Sequence, residues 1–282
     1  MKGVIIAAGY GTRFLPVTKT VPKEMLPIIN RPSIDFIVEE FINSGITEIL
    51  ILTSRRKKAL DDYFDRETEL EDVFMKEKAF AKLEKIAPAK ADIFFRRQTE
   101  MKGTGHALLQ VKAFTGNEPF VVAYPDDLHI GDIPLAAQLI KRYEETGCSV
   151  MSALHDPPHL ERYGVLKLDE DNVHVCDIVE KPAPGTEPSR EVSIGRYLFT
   201  PDIFRYLEEG WRLHCENGGQ GEYFHVYALK KLMEQNRVVY SPIAGERLDT
   251  GTPEGYLRAI VRYAMMDPVY KNAVLEEISR SK

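Results

Sequence analysis

Between residues 7 and 13 the chain reads Ala-Ala-Gly-Tyr-Gly-Thr-Arg, an apolar run that ends in two glycines, a hydroxyl and a cation. Glycine lets a backbone approach a ligand and turn its amides outward, which is how many loops hold phosphate. The spacing excludes two familiar glycine-rich loops. Phe14 stands where a dinucleotide fingerprint needs its third glycine, and the Gly-Lys-Ser/Thr of a Walker loop is missing. A plain tight turn after a strand accounts for the glycines alone equally well. The residues that follow shift the balance. Lys19 and Lys23 join Arg13 in one segment with Pro16, Pro22 and Pro27, and proline fixes the path of such a loop. Three cations on a stiff loop beside a glycine turn suit a polyphosphate.

Carboxylates come next. Asp126 and Asp127 follow the apolar run 120–124, which places them at the carboxyl end of a buried strand, where open α/β sheets bind ligands. Mg²⁺ is usually held by one or two carboxylates plus substrate phosphates. Asp249 stands between a short strand and a helix start; alone it reads as a turn or N-cap aspartate. Glu180-Lys181-Pro182 closes another strand, offering an acid for sugar hydroxyls and a lysine for a phosphate, or simply an exposed ion pair. Gly164, after Tyr163, offers a backbone amide or an ordinary turn. Gln98 can read a base edge as donor and acceptor at once. His106, within Gly103-Thr104-Gly105-His106-Ala107, reads as structural at a helix start. No Ser-His-Asp or Cys-His grouping stands out, and the seven histidines lack metal-ligand spacing.

The elements that must position these groups alternate between strand and helix. Strands are expected over 3–8, 49–53, 93–95, 120–124 and 149–154. Ser33 is expected to cap a helix with Ile34, Ile37, Val38, Phe41 and Ile42 on its apolar face, stopped by Gly45. Further helices are expected over 105–112 and 135–146. Such β-α-β order implies a parallel sheet covered on both faces. Beyond residue 160 the strands 164–168 and 173–179 read as an antiparallel pair around a turn at 169–172, followed by a strand over 193–200. Pro201 opens a helix, and 222–234 and 254–266 complete the helical set. Charge-rich 55–90 reads as exposed helices, and 210–221 as a mobile loop.

The chain has 282 residues, 44% hydrophobic and 28% charged, with a net charge of -6, which is ordinary globular composition. The acidity argues against nucleic-acid or membrane-surface binding. Cys148, Cys176 and Cys215 are too few and too scattered for a disulfide framework or zinc site, and read as reduced, mostly buried thiols. No apolar run reaches membrane-spanning length, so the cytoplasm is the expected compartment.

Taken together, the blocks resemble one family. Gly9-Tyr10-Gly11-Thr12-Arg13-Phe14-Leu15-Pro16 through Pro22-Lys23-Glu24-Met25-Leu26-Pro27-Ile28 is similar to the signature of bacterial UTP–glucose-1-phosphate uridylyltransferases. Arg97-Gln98, Gly103–Ala107, Pro125-Asp126-Asp127, Tyr163-Gly164, Val179-Glu180-Lys181-Pro182, Gly195-Arg196-Tyr197 and Asp249-Thr250-Gly251 follow in family order. The resemblance implies an α/β, Rossmann-like nucleotide-diphospho-sugar transferase fold, with a central mixed, mostly parallel sheet flanked by helices. It implies a single unit with a nucleotide-binding half over about 1–155, a sugar-binding half over about 156–252 and a C-terminal helical segment over about 253–282. It also implies that Ala8, Gly9, Gln98 and Gly103 contact the base of UTP, and that Gly11, Thr12, Arg13 and Lys23 contact its triphosphate. Gly164 and Glu180 are implied to hold the glucose of glucose 1-phosphate and Lys181 its phosphate. Asp126 and Asp249 are implied to hold Mg²⁺, with Asp127 near the nucleotide. A homo-oligomer, dimer or tetramer, is implied as well. The same reading admits a thymidylyl- or cytidylyltransferase, and, from another class, a non-catalytic sugar-nucleotide sensor. The chain departs from the family at Tyr223-Phe224-His225-Val226-Tyr227-Ala228, where Ile-Gln-Leu-Thr-Asp-Ala is usual.

Overall fold

Side chains on a strand alternate between its two faces, and the first strand buries both. In the computed structural model, which describes residues 1–280, β1 (Lys2–Ile6) turns Val4 and Ile6 into one apolar cluster, and Ile5, with the following Ala7, into another. A strand buried on both faces belongs inside a sheet covered by helices. β2 (Pro27–Ile28) and β3 (Arg31–Pro32) form a small hairpin. After it α1 (Ser33–Asn43) lays Ile34, Ile37, Val38 and Phe41 against the Ile5 side. β4 (Glu48–Thr53), α2 (Lys58–Phe64), α3 (Thr68–Lys76), α4 (Phe80–Lys85) and β5 (Asp92–Arg97) come next. Then follow α5 (Gly103–Leu109), α6 (Lys112–Thr115), β6 (Phe120–Ala123), β7 (Asp127–Ile130), α7 (Leu135–Thr146) and β8 (Ser149–His155). β9 (Gly164–Leu168), β10 (Val175–Glu180), β11 (Glu191–Phe199), α8 (Ile203–Glu216) and α9 (Val226–Met233) come after a short turn. β12 (Val238–Pro242), β13 (Glu246–Asp249), α10 (Pro253–Ala264) and α11 (Pro268–Arg280) end the described chain.

Nine of the described strands form one sheet in the order β10-β9-β11-β6-β1-β4-β5, with β8 on β11 and β12 on β8. Pairing is parallel for β1 with β4 and β6, β4 with β5, and β12 with β8. It is antiparallel wherever β11 or β10 takes part. All strands but these two therefore run in one direction, giving the mixed, mostly parallel sheet expected. α5, α8 and α9 cover the Val4–Ile6 face, and α1 and α7 the other. β7 and β13 form a separate ribbon in which Asp127 faces Asp249. The carboxyl ends of β1 and β6 thus open onto one edge, beside that ribbon.

Several boundaries depart from expectation. Ser33 begins α1 rather than capping it; Pro32 is the cap residue, and Ser33 Oγ donates instead to the carbonyl of Glu24. Gly45 does stop the chain after α1, in a left-handed conformation. Residues 210–216, expected in a mobile loop, are the last two turns of α8, because Gly210 packs against the rings of Tyr223 and Tyr227. The expected helix over 222–234 begins only at Val226. Two of the three thiols, Cys176 and Cys215, are exposed, and Cys148 is buried. No helix among the described residues is long and apolar enough to cross a membrane.

Candidate active site

The glycine turn leaves the end of β1. Ala7 N still donates to Leu52 O at 2.8 Å, and the chain then swings out to Gly9 and Tyr10. Gly11 lies in the left-handed region (φ 70), and its carbonyl accepts from Thr18 Oγ1 at 2.7 Å. A side chain there would be strained and would crowd Thr18 and Lys23. The prolines leave only three short 3₁₀ turns, Thr12–Phe14, Val17–Lys19 and Lys23–Met25. The last turn is fastened from below. Lys57 Nζ donates to Glu24 Oε1 at 2.7 Å, Glu24 Oε2 at 2.8 Å and Ala7 O at 2.5 Å. All three ammonium protons are used, so one buried cation ties the end of β1 to the turn carrying Lys23. Burial lowers the Lys57 pKa, and Glu24 acts against that shift.

Lys23 reaches across the cleft to Asp126, Nζ to Oδ2 at 2.8 Å. Burial opposes charge on Asp126, but Lys23 and then Arg13 outweigh it and hold the carboxyl below its ordinary range. The carbonyl of Asp126 accepts from Thr250 N at 2.8 Å and Thr250 Oγ1 at 3.1 Å. That contact carries the 249–251 turn to the same spot. A Cβ placed on Gly251 would lie 3.1 Å from Asp249 Oδ1, 3.2 Å from Asp126 Oδ2 and 3.6 Å from Arg13 Nη1. Two carboxylates and a guanidinium therefore converge at the mouth of the cleft. Asp249 is 48% exposed; its Oδ1 accepts from Gly251 N at 2.9 Å and its Oδ2 lies 3.4 Å from Arg247 Nη2, so a cation would be met by the remaining lone pairs of this carboxylate. Two carboxylates at an open cleft are a donor set of the kind that Mg²⁺, which retains water and substrate oxygens, would fit.

Asp127 points elsewhere. Its Oδ1 pairs with Arg247 and its Oδ2 accepts from Gly195 N at 2.8 Å. Burial raises its pKa, against the pull of Arg247. Its backbone carbonyl accepts from Arg196 Nη2 at 3.3 Å, and Arg196 is locked in a buried two-point pair with Glu40, at 3.0 and 2.8 Å. Asp127, expected near the nucleotide, instead anchors the acidic turn through Arg247 and Gly195 and is not among the residues lining the cleft.

The cleft itself encloses about 350 Å³ and is lined by Ala8, Gly9, Gly11, Thr12, Lys23, Gln98, Gly103 and Asp126. Met101, Thr104, Tyr124 and Glu222 add to its walls. Gly103 is in the left-handed region (φ 89), and a Cβ there would meet Tyr223 O at 2.5 Å. The reason is that residues 222–225 dock directly on this wall. Tyr223 N donates to Lys102 O at 2.8 Å, Gly105 N to Tyr223 O at 2.9 Å, and Thr104 Oγ1 bonds His225 Nδ1 at 2.8 Å. The segment 223–228, where the sequence differs from the resembled pattern, therefore backs the Gly103 wall of the cleft.

Gly164, Glu180 and Lys181 form a second group, on β9 and at the end of β10, the second and third strands beyond β6. Gly164 and Glu180 are paired across β9 and β10, and a Cβ on Gly164 would touch Glu180 Oε1 at 2.9 Å. Lys181 N donates to Tyr163 O at 2.9 Å, with Lys181 held in a left-handed conformation (φ 47). Both side chains are exposed and make no protein ion pair among the described residues. Sequence reasoning missed two residues. Lys57 was hidden in the charged run Arg55-Arg56-Lys57-Lys58, and Arg247 gave no signal in an ordinary strand. A buried lysine in such a run is betrayed only by its place one residue before a helix.

A family model described as nucleotidyl transferase matches residues 2–265. The UTP–glucose-1-phosphate uridylyltransferase 2 of Staphylococcus saprophyticus is 40% identical over 287 residues, covering 100% of this chain and 98% of that protein. Among solved structures, a UTP-bound UGPase from Acinetobacter baumannii superposes with a TM-score of 0.87 at 30% identity, covering 100% of this chain and 99% of that one. A UDP-glucose pyrophosphorylase complexed with UDP-glucose gives 0.79 at 37% identity, covering 94% and 99%.

Proposed function

The chain belongs to the nucleotidyl transferase family, and we propose that within it the protein transfers a uridylyl group from UTP to glucose 1-phosphate, giving UDP-glucose and pyrophosphate. The observation that carries this reading is the cleft, where the glycine loop, Gln98 and the Lys23–Asp126 pair meet, in a chain so similar to enzymes of that name.

The nucleophile is a phosphate oxygen of the sugar phosphate, already anionic because second phosphate ionisations lie near pH 6. No general base is required. Attack on the α-phosphorus forms the new P–O bond as the bond to the β-phosphate oxygen breaks, and pyrophosphate leaves with that electron pair. The obstacle is repulsion. Two unit charges about 5 Å apart cost roughly 3 kcal/mol at an effective dielectric of about 20, and several such pairs must meet. Catalysis is then positioning and charge neutralisation. Gly11 and Thr12 cradle the triphosphate, while Lys23 and Arg13 offset charge on it and on the leaving group. Ala8, Gly9, Gln98 and Gly103 receive the base. Gly164 and Glu180 hold the glucose, and Lys181 aligns its phosphate. Asp126 and Asp249 would hold Mg²⁺, which would supply positive charge against the phosphates.

The protein works in the cytoplasm as a homo-oligomer. Leu257, at 61% exposure on α10, and Val269, at 73% on α11, leave an apolar surface that a second copy would cover. Light scattering that gives only the monomer mass would remove that part of the reading. The reaction is tested by pyrophosphate release from UTP, glucose 1-phosphate and Mg²⁺, with dTTP, CTP and galactose 1-phosphate as controls. Release with UTP is expected; its absence would remove the assignment and favour a binding-only protein.

A further inference from the structure

Gln98 is 4% exposed and lines the cleft, yet only one end of its amide is committed to the protein. Its Nε2 lies 3.2 Å from Nδ1 of His106, on the first turn of α5. Its Oε1 has no protein partner among the described hydrogen bonds, nor is it a sealed polar atom, so it opens to the cleft. We propose that His106 sets which pyrimidine this site accepts, by fixing the sense of the Gln98 amide so that it reads a base with a protonated N3 and rejects cytosine. The proposal rests on the uridylyl-transfer reading.

A neutral imidazole carries one proton and one in-plane lone pair, so it accepts at one nitrogen only. Two amides compete for it. Gln110 Nε2 stands 3.5 Å from His106 Nε2, while Gln110 Oε1 lies 3.4 Å from Arg96 Nη2 on the exposed side. Both distances sit at the outer limit of a hydrogen bond. The shorter contact from buried Gln98 takes the lone pair on Nδ1. The ring proton then sits on Nε2, and the 3.5 Å approach of Gln110 Nε2, whose oxygen stays with Arg96, is a contact without a hydrogen bond. The ring is held by Trp211, with centroids 5.0 Å apart. Burial lowers the His106 pKa, with Glu100 and Lys102 acting in opposite senses, so the neutral form prevails at neutral pH.

An amide nitrogen has two protons. With one directed to Nδ1, Gln98 presents the other, side by side with Oε1, to the ligand. Uracil offers the matching pair, an N3–H donor beside a carbonyl acceptor. Cytosine offers an acceptor at N3 beside an amino donor, and pairing with it needs the amide reversed. Reversal would set Oε1 against the lone pair of Nδ1. Sites built on such pairing reject the mismatched ligand strongly, because buried polar groups are left without partners. Thymine shares the uracil edge and is not rejected by this device.

The test compares kcat/KM for UTP and CTP in pyrophosphate release for the wild type, His106→Leu and His106→Asn. The leucine variant should narrow the UTP-over-CTP ratio by about tenfold or more, the scale of one lost hydrogen bond to a buried group. The asparagine variant, whose Oδ1 can accept from Gln98, should keep the ratio. Equal losses on both nucleotides with an unmoved ratio would overturn the proposal and leave His106 a packing residue. ¹⁵N chemical shifts of the wild-type ring supply a second measurement that needs no variant to fold. The Nε2–H tautomer is expected, and Nδ1–H would overturn the proposal. A wild-type protein silent with UTP sinks the parent reading, whereas an active enzyme with an unmoved ratio sinks this one alone.

Discussion

Replacing Lys57 by methionine tests whether the glycine–proline loop that carries Lys23 is held in place from beneath. Lys57 is 5% exposed and Glu24 1%, and the three contacts of Nζ span 2.5 to 2.8 Å. The substitution leaves the Glu24 carboxylate and the Ala7 carbonyl without a donor in a dry site. Breaking one side of a buried pair costs about 3–5 kcal/mol. A chain of this length unfolds with roughly 0.6 kcal/mol per degree, so the melting temperature should drop by about 5–8 °C. The functional loss should exceed the thermal one, because Lys23 immediately precedes Glu24, the partner of Lys57, and misplacement by about 1 Å can cost about 10²-fold in rate. The decisive comparison is the double variant Lys57→Met/Glu24→Leu. Apolar replacement of a whole buried pair is often neutral for stability, so melting should recover. Turnover should not, since the polar tie between the end of β1 and the Lys23 turn is gone. Differential scanning fluorimetry and steady-state pyrophosphate release make both measurements. A single variant that melts within about a degree of wild type would refute the energetic reasoning. A double variant with wild-type kcat would refute the positional one.

Lys23→Ala or Asp126→Ala should lower kcat by about 10² or more, the scale of losing one electrostatic stabiliser; near-normal rates in folded variants would remove both from the chemistry. Glu180→Gln should raise KM for glucose 1-phosphate while leaving KM for UTP unchanged, and an unchanged sugar KM takes Glu180 out of the acceptor site. Chelation by EDTA should abolish pyrophosphate release, and Asp249→Asn should shift the Mg²⁺ titration to higher concentration; an unmoved titration separates Asp249 from the metal. Burial holds the His225 pKa down from 6.5 to about 4. Between those values the unfolded chain binds more protons than the native one, so stability rises with pH across this window, by on the order of 3 kcal/mol. Urea unfolding of the wild type and His225→Asn at pH 5 and pH 7 checks this, and an equal pH slope in both would refute it.

Much of the site was legible because its residues sit in short, rule-bound contexts. Apolar runs such as 120–124 end where a parallel sheet ends, and two glycines with nearby prolines announce a loop of special conformation. Ala8, Gly9, Gly11, Thr12, Lys23, Gln98, Gly103 and Asp126 were read from such local signals and family order, and they line one cleft. Boundaries were harder. Residues 210–216 carry a glycine that suggests a loop, yet aromatic packing from Tyr223 and Tyr227 keeps them helical.

What the residue string determined by itself was the inventory: alternating buried strands, a phosphate-suited loop, and carboxylates at a strand end. These follow from periodicity and local backbone chemistry, which need only near neighbours. Tertiary structure decided the assignments between neighbours of like type. Asp126 and Asp127 are adjacent and identical in kind, but Asp126, just before β7, meets Lys23, while Asp127, at the start of β7, meets Arg247 and Gly195. Lys57 and Lys58 differ as sharply, one buried under the loop and the other exposed. Charge partners lying more than thirty residues away in the chain make that choice, and no local pattern records them.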